Sequence, residues 1–204
     1  MRAFVQKRLA TAARALIARE QPAVIAITGS VGKSSAKEAI AAVLRRKFPV
    51  LASPGNYNTE FGLPLTVLQL PMPSSSFGWL GTVLKAGSRA RGMQDYPKTL
   101  VLEMGSDKPG DIAALTAIAQ PQIAVVTAVG ESHMAAFGSQ EAIRKEKASL
   151  VQALGAEGVA VLNRDDENVW SMRELTKARV LTYGFNTESD IRAIEPVSYA
   201  CAFD

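Results

Sequence analysis

Apolar residues along the chain gather in six short runs: AVIAIT (23–28), PVLAS (49–53), TLVLEM (99–104), QIAVVT (122–127), GVAVLN (158–163) and RVLTYG (179–184). Between them, helical patterns fall near 33–47, 61–70, 110–119, 139–154 and 166–177. Strands that are apolar on both faces and separated by helices predict an α/β fold, a mostly parallel sheet with helices on both sides. Several helix ends are readable. Pro109 suits a first helical turn, Pro121 lies beyond a helix end, and Ser139 can cap the helix after Gly138.

Two segments stand outside this rhythm. Residues 1–20 are rich in arginine and almost free of acids, as transit peptides are, yet Phe4, Val5, Leu9, Ala12, Ala13, Leu16 and Ile17 recur at helical spacing. The spacing assigns an amphipathic helix, set apart as residues 1–21 and packed on the domain or on a neighbouring one. Residues 71–98 open with Pro and Ser as a loop, and Phe77, Leu80, Val83 and Leu84 predict a short helix ahead of Arg89 and Arg91. This reads as an insertion on the surface of a domain covering 22–204.

Composition narrows the class. With 48% hydrophobic and 21% charged residues in 204, the chain fits one ordinary globular α/β domain. Its net charge of +4 has Arg45, Arg46 and Lys47 as the only tight basic cluster, which a solvated helix end explains, so no nucleic-acid partner is expected. Cys201 is the single cysteine, which excludes an internal disulfide and a cysteine metal cluster and is compatible with a reducing compartment. No apolar run reaches the roughly 18 residues of a membrane span.

The chemistry begins at ITGSVGKSS. Gly32, Lys33 and Ser34 match the end of a phosphate loop, but Ile27 stands where the longer Walker spacing needs its first glycine. The loop still joins a strand to a helix start, where unpaired amides and the helix dipole favour an anion. Gly29 and Gly32 would shape the turn, Lys33 would reach the outer phosphates, and Ser34 is placed as a Mg²⁺ ligand. The alternative is a strand-to-helix turn with no ligand.

Ligands of open parallel sheets gather at the carboxyl ends of the strands, which directs attention to Glu103, Glu131 and His133. Glu103, one strand from the loop, could hold Mg²⁺ or be a surface or cap-pairing glutamate. His133, the only histidine, could be functional or a satisfied structural residue. Nothing in the residues singles out Lys147 from its neighbours Arg144 and Lys145.

TGSVGKSS, GNYNTEFGLPLTVL, VLEMGSDKPGDIAAL, VVTAVGESHMAAFGSQEAIRKEKASL and VLNRDDE resemble, in this order, the successive motifs of the Mur ligase central domain. The likeness covers roughly residues 22–185 and is closest to the MurF branch. The resemblance implies a cytoplasmic, ATP-dependent ligase of peptidoglycan synthesis that adds D-alanyl-D-alanine to a UDP-N-acetylmuramoyl-tripeptide through an acyl phosphate. It also implies roles by position. Thr28, Gly29, Ser30, Val31, Gly32, Lys33, Ser34 and Ser35 would form the ATP loop, with Ser34 and Glu103 on one Mg²⁺. His133 and Lys147, the latter as a carbamate, would serve a second Mg²⁺. Asn163 would lie near adenine, and Asn58, with Asn56 as a weaker match, near the nucleotide; an ordinary turn or cap is the alternative for Asn163.

Three positions depart from the family pattern: Ser34 replaces a threonine, Ser149 stands where a glutamate is frequent, and the 71–98 insertion is long. The family's flanking domains have no counterpart, so the expectation is a fragment cut on its C-terminal side, where DIRAIEPVSYACAFD reads as an unfinished strand pair. The alternatives are another ligase of the same superfamily, such as a folylpolyglutamate or cyanophycin type, and a non-catalytic nucleotide-binding module.

Overall fold

The computed structural model describes residues 2–130 and 134–194. His133, Glu131 and the run from residue 195 to the end, including Cys201, lie outside the described residues. In chain order the elements are α1 (Arg2–Glu20), β1 (Ala23–Thr28), α2 (Lys33–Leu44), β2 (Val50–Ala52), α3 (Gly62–Val67), α4 (Gly78–Arg89) and β3 (Thr99–Glu103). There follow α5 (Asp111–Thr116), β4 (Ile123–Val126), α6 (Met134–Phe137), α7 (Gln140–Gln152), β5 (Val159–Asn163), α8 (Glu167–Trp170) with a 3₁₀ turn (Ser171–Leu175), β6 (Arg179–Gly184) and β7 (Ile191–Arg192).

Among the described residues seven strands make one sheet in the order β2-β3-β1-β4-β5-β6-β7, parallel throughout. Side-chain alternation along β1 shows why its run is apolar on both faces. Val24 and Ala26 join the core under α1, α3 and α5, whereas Ile25 and Ile27 join a second core with Ala41 of α2. The register sets Ile27 against Glu103 and Thr28 against Val126, so the ends of β3 and β4 flank the loop that leaves β1. The chain crosses β1 between β3 and β4, which makes this the switch point where a crevice opens.

The N-terminal helix is part of this core. Leu9 and Leu16 of α1 are fully buried, each contributing roughly 2 kcal/mol by leaving water. Phe4 does not share that face: it is 59% exposed. The face turned inward is centred on Leu9, Ala13 and Leu16, and Phe4 falls outside that arc. Helix α4 runs beside α1 in the same direction. Trp79 and Met72 border a groove with Arg2 and Val5 at one end, and the Met93 amide donates to Glu20 Oε1 (3.4 Å) at the other.

Other boundaries follow local chemistry. The Ser139 hydroxyl accepts from the Ala142 amide (3.1 Å) and starts α7 as expected. Pro109 falls ahead of the first turn of α5, which begins at Asp111 after Gly110 (φ 91°). The start is fixed instead by Glu146 of α7, whose carboxylate accepts from the Gly110 and Ile112 amides, both at 2.7 Å. Among the described residues no helix is long and apolar enough to cross a membrane.

Candidate functional site

The loop after β1 is built by close approach to β4. Gly29 has φ 148°, and a Cβ there would lie 2.0 Å from Thr127 Oγ1, so only glycine fits. The Ser30 amide donates to the Ala128 carbonyl (2.7 Å), and the Thr127 hydroxyl donates to the Val31 carbonyl (2.6 Å). Gly32 (φ 81°) then turns the chain into α2. Thr28 is buried, its hydroxyl donating to the Met104 carbonyl (2.9 Å). It braces β1 against the end of β3. Val31, Ser34 and Ser35 are exposed as residues, although the Ser34 hydroxyl turns inward to the Glu103 carboxylate.

Lys33 folds over its own loop, its ammonium donating to the carbonyls of Gly29 (2.7 Å) and Ser30 (3.2 Å). Partial burial lowers its pKa, and the Glu103 charge opposes that shift. One side chain away, Glu103 is 2% exposed and fully engaged. Oε1 accepts from Asn58 Nδ2 (2.9 Å), Oε2 accepts from the Ser34 hydroxyl (2.9 Å), and Lys37 Nζ lies 3.7 Å from Oε2. Lys37 is itself 1% exposed and also donates to the Gly55 carbonyl (3.3 Å), which ties α2 to the loop carrying Asn56 and Asn58.

The residues present fit a hard cation at this point. Two ligands at right angles on an octahedral Mg²⁺, each at 2.0–2.1 Å, are about 2.9 Å apart, the separation seen between the Ser34 and Glu103 oxygens. Among the described residues no group of three or more His, Cys, Asp or Glu converges to hold an ion alone. An ion here would need oxygens from a bound phosphate as well.

Across the cleft, Lys147 projects from α7 and is 4% exposed. Its ammonium donates to the Ser106 hydroxyl (2.6 Å) in the loop after β3. Burial pushes its pKa down to about 8, helped by the Lys33 charge and opposed by Glu146, Asp107 and Asp111. A cleft of about 280 Å³ joins the two sides, lined by Gly29, Ser30, Lys33, Asn58, Ser106 and Lys147 among others.

Asn163 stands beside Thr127, the residue packed against the loop glycines. At the end of β5 its amide donates to the Thr127 carbonyl (2.9 Å) and its Oδ1 accepts from the Asp165 amide (3.0 Å). The neighbouring aspartates are also occupied by backbone: Asp166 accepts from Val129 and Val169, and Asp165 from Phe185 and Asn186. VLNRDDE therefore holds the β4 and β6 loops in place, and Asn163 does not line the cleft. His133 lies outside the described residues.

A family model for the Mur ligase middle domain matches residues 27–200. The chain belongs to the Mur ligase middle domain family. It is 41% identical over 94% of its length to the UDP-N-acetylmuramoyl-tripeptide--D-alanyl-D-alanine ligase of Mycobacterium tuberculosis strain H37Rv, covering 33% of that protein. The ligase of the same name from Bacillus subtilis is 35% identical over 82% of the chain, with 31% of that protein covered. The solved MurF ligase of Thermotoga maritima in complex with ADP superposes with a TM-score of 0.71 at 30% identity, over 89% of this chain and 37% of that one. The chain thus spans about a third of the length of the curated relatives it matches.

Several residues that build this Mur ligase middle domain site carry no signal in the sequence. Lys37 reads as one more helix lysine, and Ser106, Thr127 and Glu146 as ordinary polar positions.

Proposed function

We propose that the chain is the ATP-binding part of a ligase that joins D-alanyl-D-alanine to a UDP-N-acetylmuramoyl-tripeptide. The observation that carries this is the meeting of Lys33 and Lys147 in one cleft at the strand ends, with the Ser34–Glu103 pair behind Lys33. The names of the relatives supply the substrates, and the ADP complex of the Thermotoga relative supports a nucleotide on the β1 loop.

In the reaction, a carboxylate oxygen of the peptide bonds to the γ-phosphorus of ATP as the bridging P–O bond breaks and ADP leaves. The amine of the dipeptide then bonds to the acyl carbon, loses a proton, and phosphate departs from the tetrahedral intermediate. Lys33 leaves the Gly29 and Ser30 carbonyls for the phosphates, where a fixed positive charge lowers the cost of charge build-up. Ser34 and Glu103 would hold one Mg²⁺, and His133 with Lys147 a second; when bound, the ions neutralise phosphate charge. Lys37 keeps Glu103 aimed at Ser34.

Lys147 suits carbamate formation. With a pKa of about 8, roughly a tenth of the amine is neutral at pH 7, against under a thousandth for an ordinary lysine. A neutral amine adds to CO₂ and loses a proton, leaving an anion facing the cleft.

Calorimetric titration with Mg-ATP tests the first step. The chain should bind, and Lys33→Ala should weaken binding about a hundredfold; undiminished affinity in that variant would remove the loop from the mechanism. The 204 residues by themselves should form the amide product far more slowly than a complete ligase, since they correspond to about a third of the length of the ligases they match. A comparable rate would overturn the division of labour.

A further inference from the structure

The inserted segment has an unpartnered side. On α4, Ala86 is buried and Val83 and Trp79 pack against the core, which fixes the inner face. The opposite face carries Phe77 at 92% exposure, Leu80 at 68% and Leu84 at 69%. Phe77, Leu80 and Leu84 follow one helical stripe, with Lys85 beside it on the helix and Arg91 in the turn just past the helix end, both exposed. A helix of this length rarely leaves three large apolar side chains in water without a partner.

Charge identifies the partner. Residues 1–20 hold five basic side chains against one acidic, and residues 71–98 hold four against one. These two segments therefore carry +7 of charge, and the remaining 156 residues carry −3 within a chain total of +4. The two helices lie side by side, and α1 adds exposed Phe4 with Arg8 over its ring. Apolar residues flanked by lysine and arginine, on a helix too short to span a bilayer, match an interfacial contact in which the apolar side enters the acyl boundary and the cations meet lipid phosphates. A nucleic acid would answer the charge but not Phe77, Leu80 and Leu84.

We propose that the outer face of α4, with the basic α1 beside it, docks the protein on an anionic lipid surface. This is independent of the ligase reading, since none of these residues lines the cleft. The test is sedimentation of the chain with vesicles of phosphatidylcholine alone or mixed with phosphatidylglycerol. Binding should require phosphatidylglycerol and weaken as salt is raised. Phe77→Ser/Leu80→Ser/Leu84→Ser and, separately, Lys85→Glu/Arg91→Glu should each reduce the bound fraction at least about tenfold while leaving Mg-ATP affinity unchanged. Equal binding to both vesicle types, or none to either, would overturn the proposal. So would a wild-type dimer that the triple serine variant converts to monomer, which would assign the face to a second copy.

Discussion

The two sides of the cleft each bury a lysine and treat it in opposite ways. On the β1 side, Lys37 faces the Glu103 carboxylate at 3.7 Å, and Asn58 and Ser34 complete the carboxylate's partners. On the α7 side, Lys147 has a serine hydroxyl as its close partner, with Glu146 drawn away to the amides of α5. Paired burial makes Lys37 a structural charge. Burial with a neutral partner makes Lys147 a lysine that gives up its proton easily. The cleft thus combines a fixed charge with an adjustable one.

Removing the fixed charge should have the largest effect. Lys37→Met removes the ion-pair partner of buried Glu103 and leaves it only the more distant Lys33 charge, and breaking one half of a buried pair costs about 3–5 kcal/mol. Urea unfolding should show this loss, and adding Glu103→Gln should restore much of it, since the double variant holds no uncompensated charge. A Lys37→Met chain as stable as wild type would mean that the carboxylate is protonated or hydrated, and the contrast between the two lysines would fail.

The adjustable charge predicts a pH effect of known sign. Lys147 has a folded pKa near 8, below the 10.5 of an unfolded lysine, so between these values the unfolded chain binds the extra proton. Stability should therefore rise with pH across that window, the penalty being complete below about pH 8. The difference between wild type and Lys147→Met should shift by about 3 kcal/mol from pH 8 to 10.5. The difference is the proper measure because Tyr96, whose pKa burial raises, contributes with the opposite sign in both proteins.

Much of this architecture was legible because a parallel sheet writes itself into sequence as runs apolar on both faces. Each of the six runs contains one of the strands β1 to β6, and seven helices, α1 to α5 with α7 and α8, fall where periodicity put them. The two-residue β7 and four-residue α6 are too short to leave a period. Family motifs brought Lys33, Ser34, Glu103, Asn58 and Lys147 to one region, and the structure sets them there. Lys37 was hidden because a buried helix lysine and a solvated one look alike in sequence; the difference lies in Glu103, contributed by a strand 66 positions further on. Phe4 misled for the converse reason, since an apolar residue on a helix need not lie on its buried arc.

Glu146, next to Lys147 on α7, sharpens the contrast at a smaller scale. Glu146→Ala leaves the Gly110 and Ile112 amides without their acceptor, at a cost of about 2 kcal/mol in unfolding experiments. Its negative charge also supports the protonated form of Lys147. Glu146→Gln, which keeps an acceptor oxygen, should therefore lower the Lys147 pKa further. Faster labelling of Lys147 by an amine-selective reagent at neutral pH would show it; an unchanged rate would mean that solvent screens the pair.

The smallest effect concerns how rigidly the adjustable lysine is carried. Ser139 caps α7 through the Ala142 amide at 3.1 Å, two turns before Lys147 on the same helix. Ser139→Ala should cost about 1 kcal/mol, whereas Ser139→Asp should cost little because it keeps an acceptor and suits the helix dipole. Fraying at a helix start fades within about a turn, and Lys147 is further held by its bond to Ser106. The Lys147 titration should therefore stay near 8 in the alanine variant although the protein is less stable. Were it to move back toward 10.5, water would be reaching the amine when the first turn opens, and the low pKa would depend on the whole length of α7 rather than on the local burial that the cleft provides.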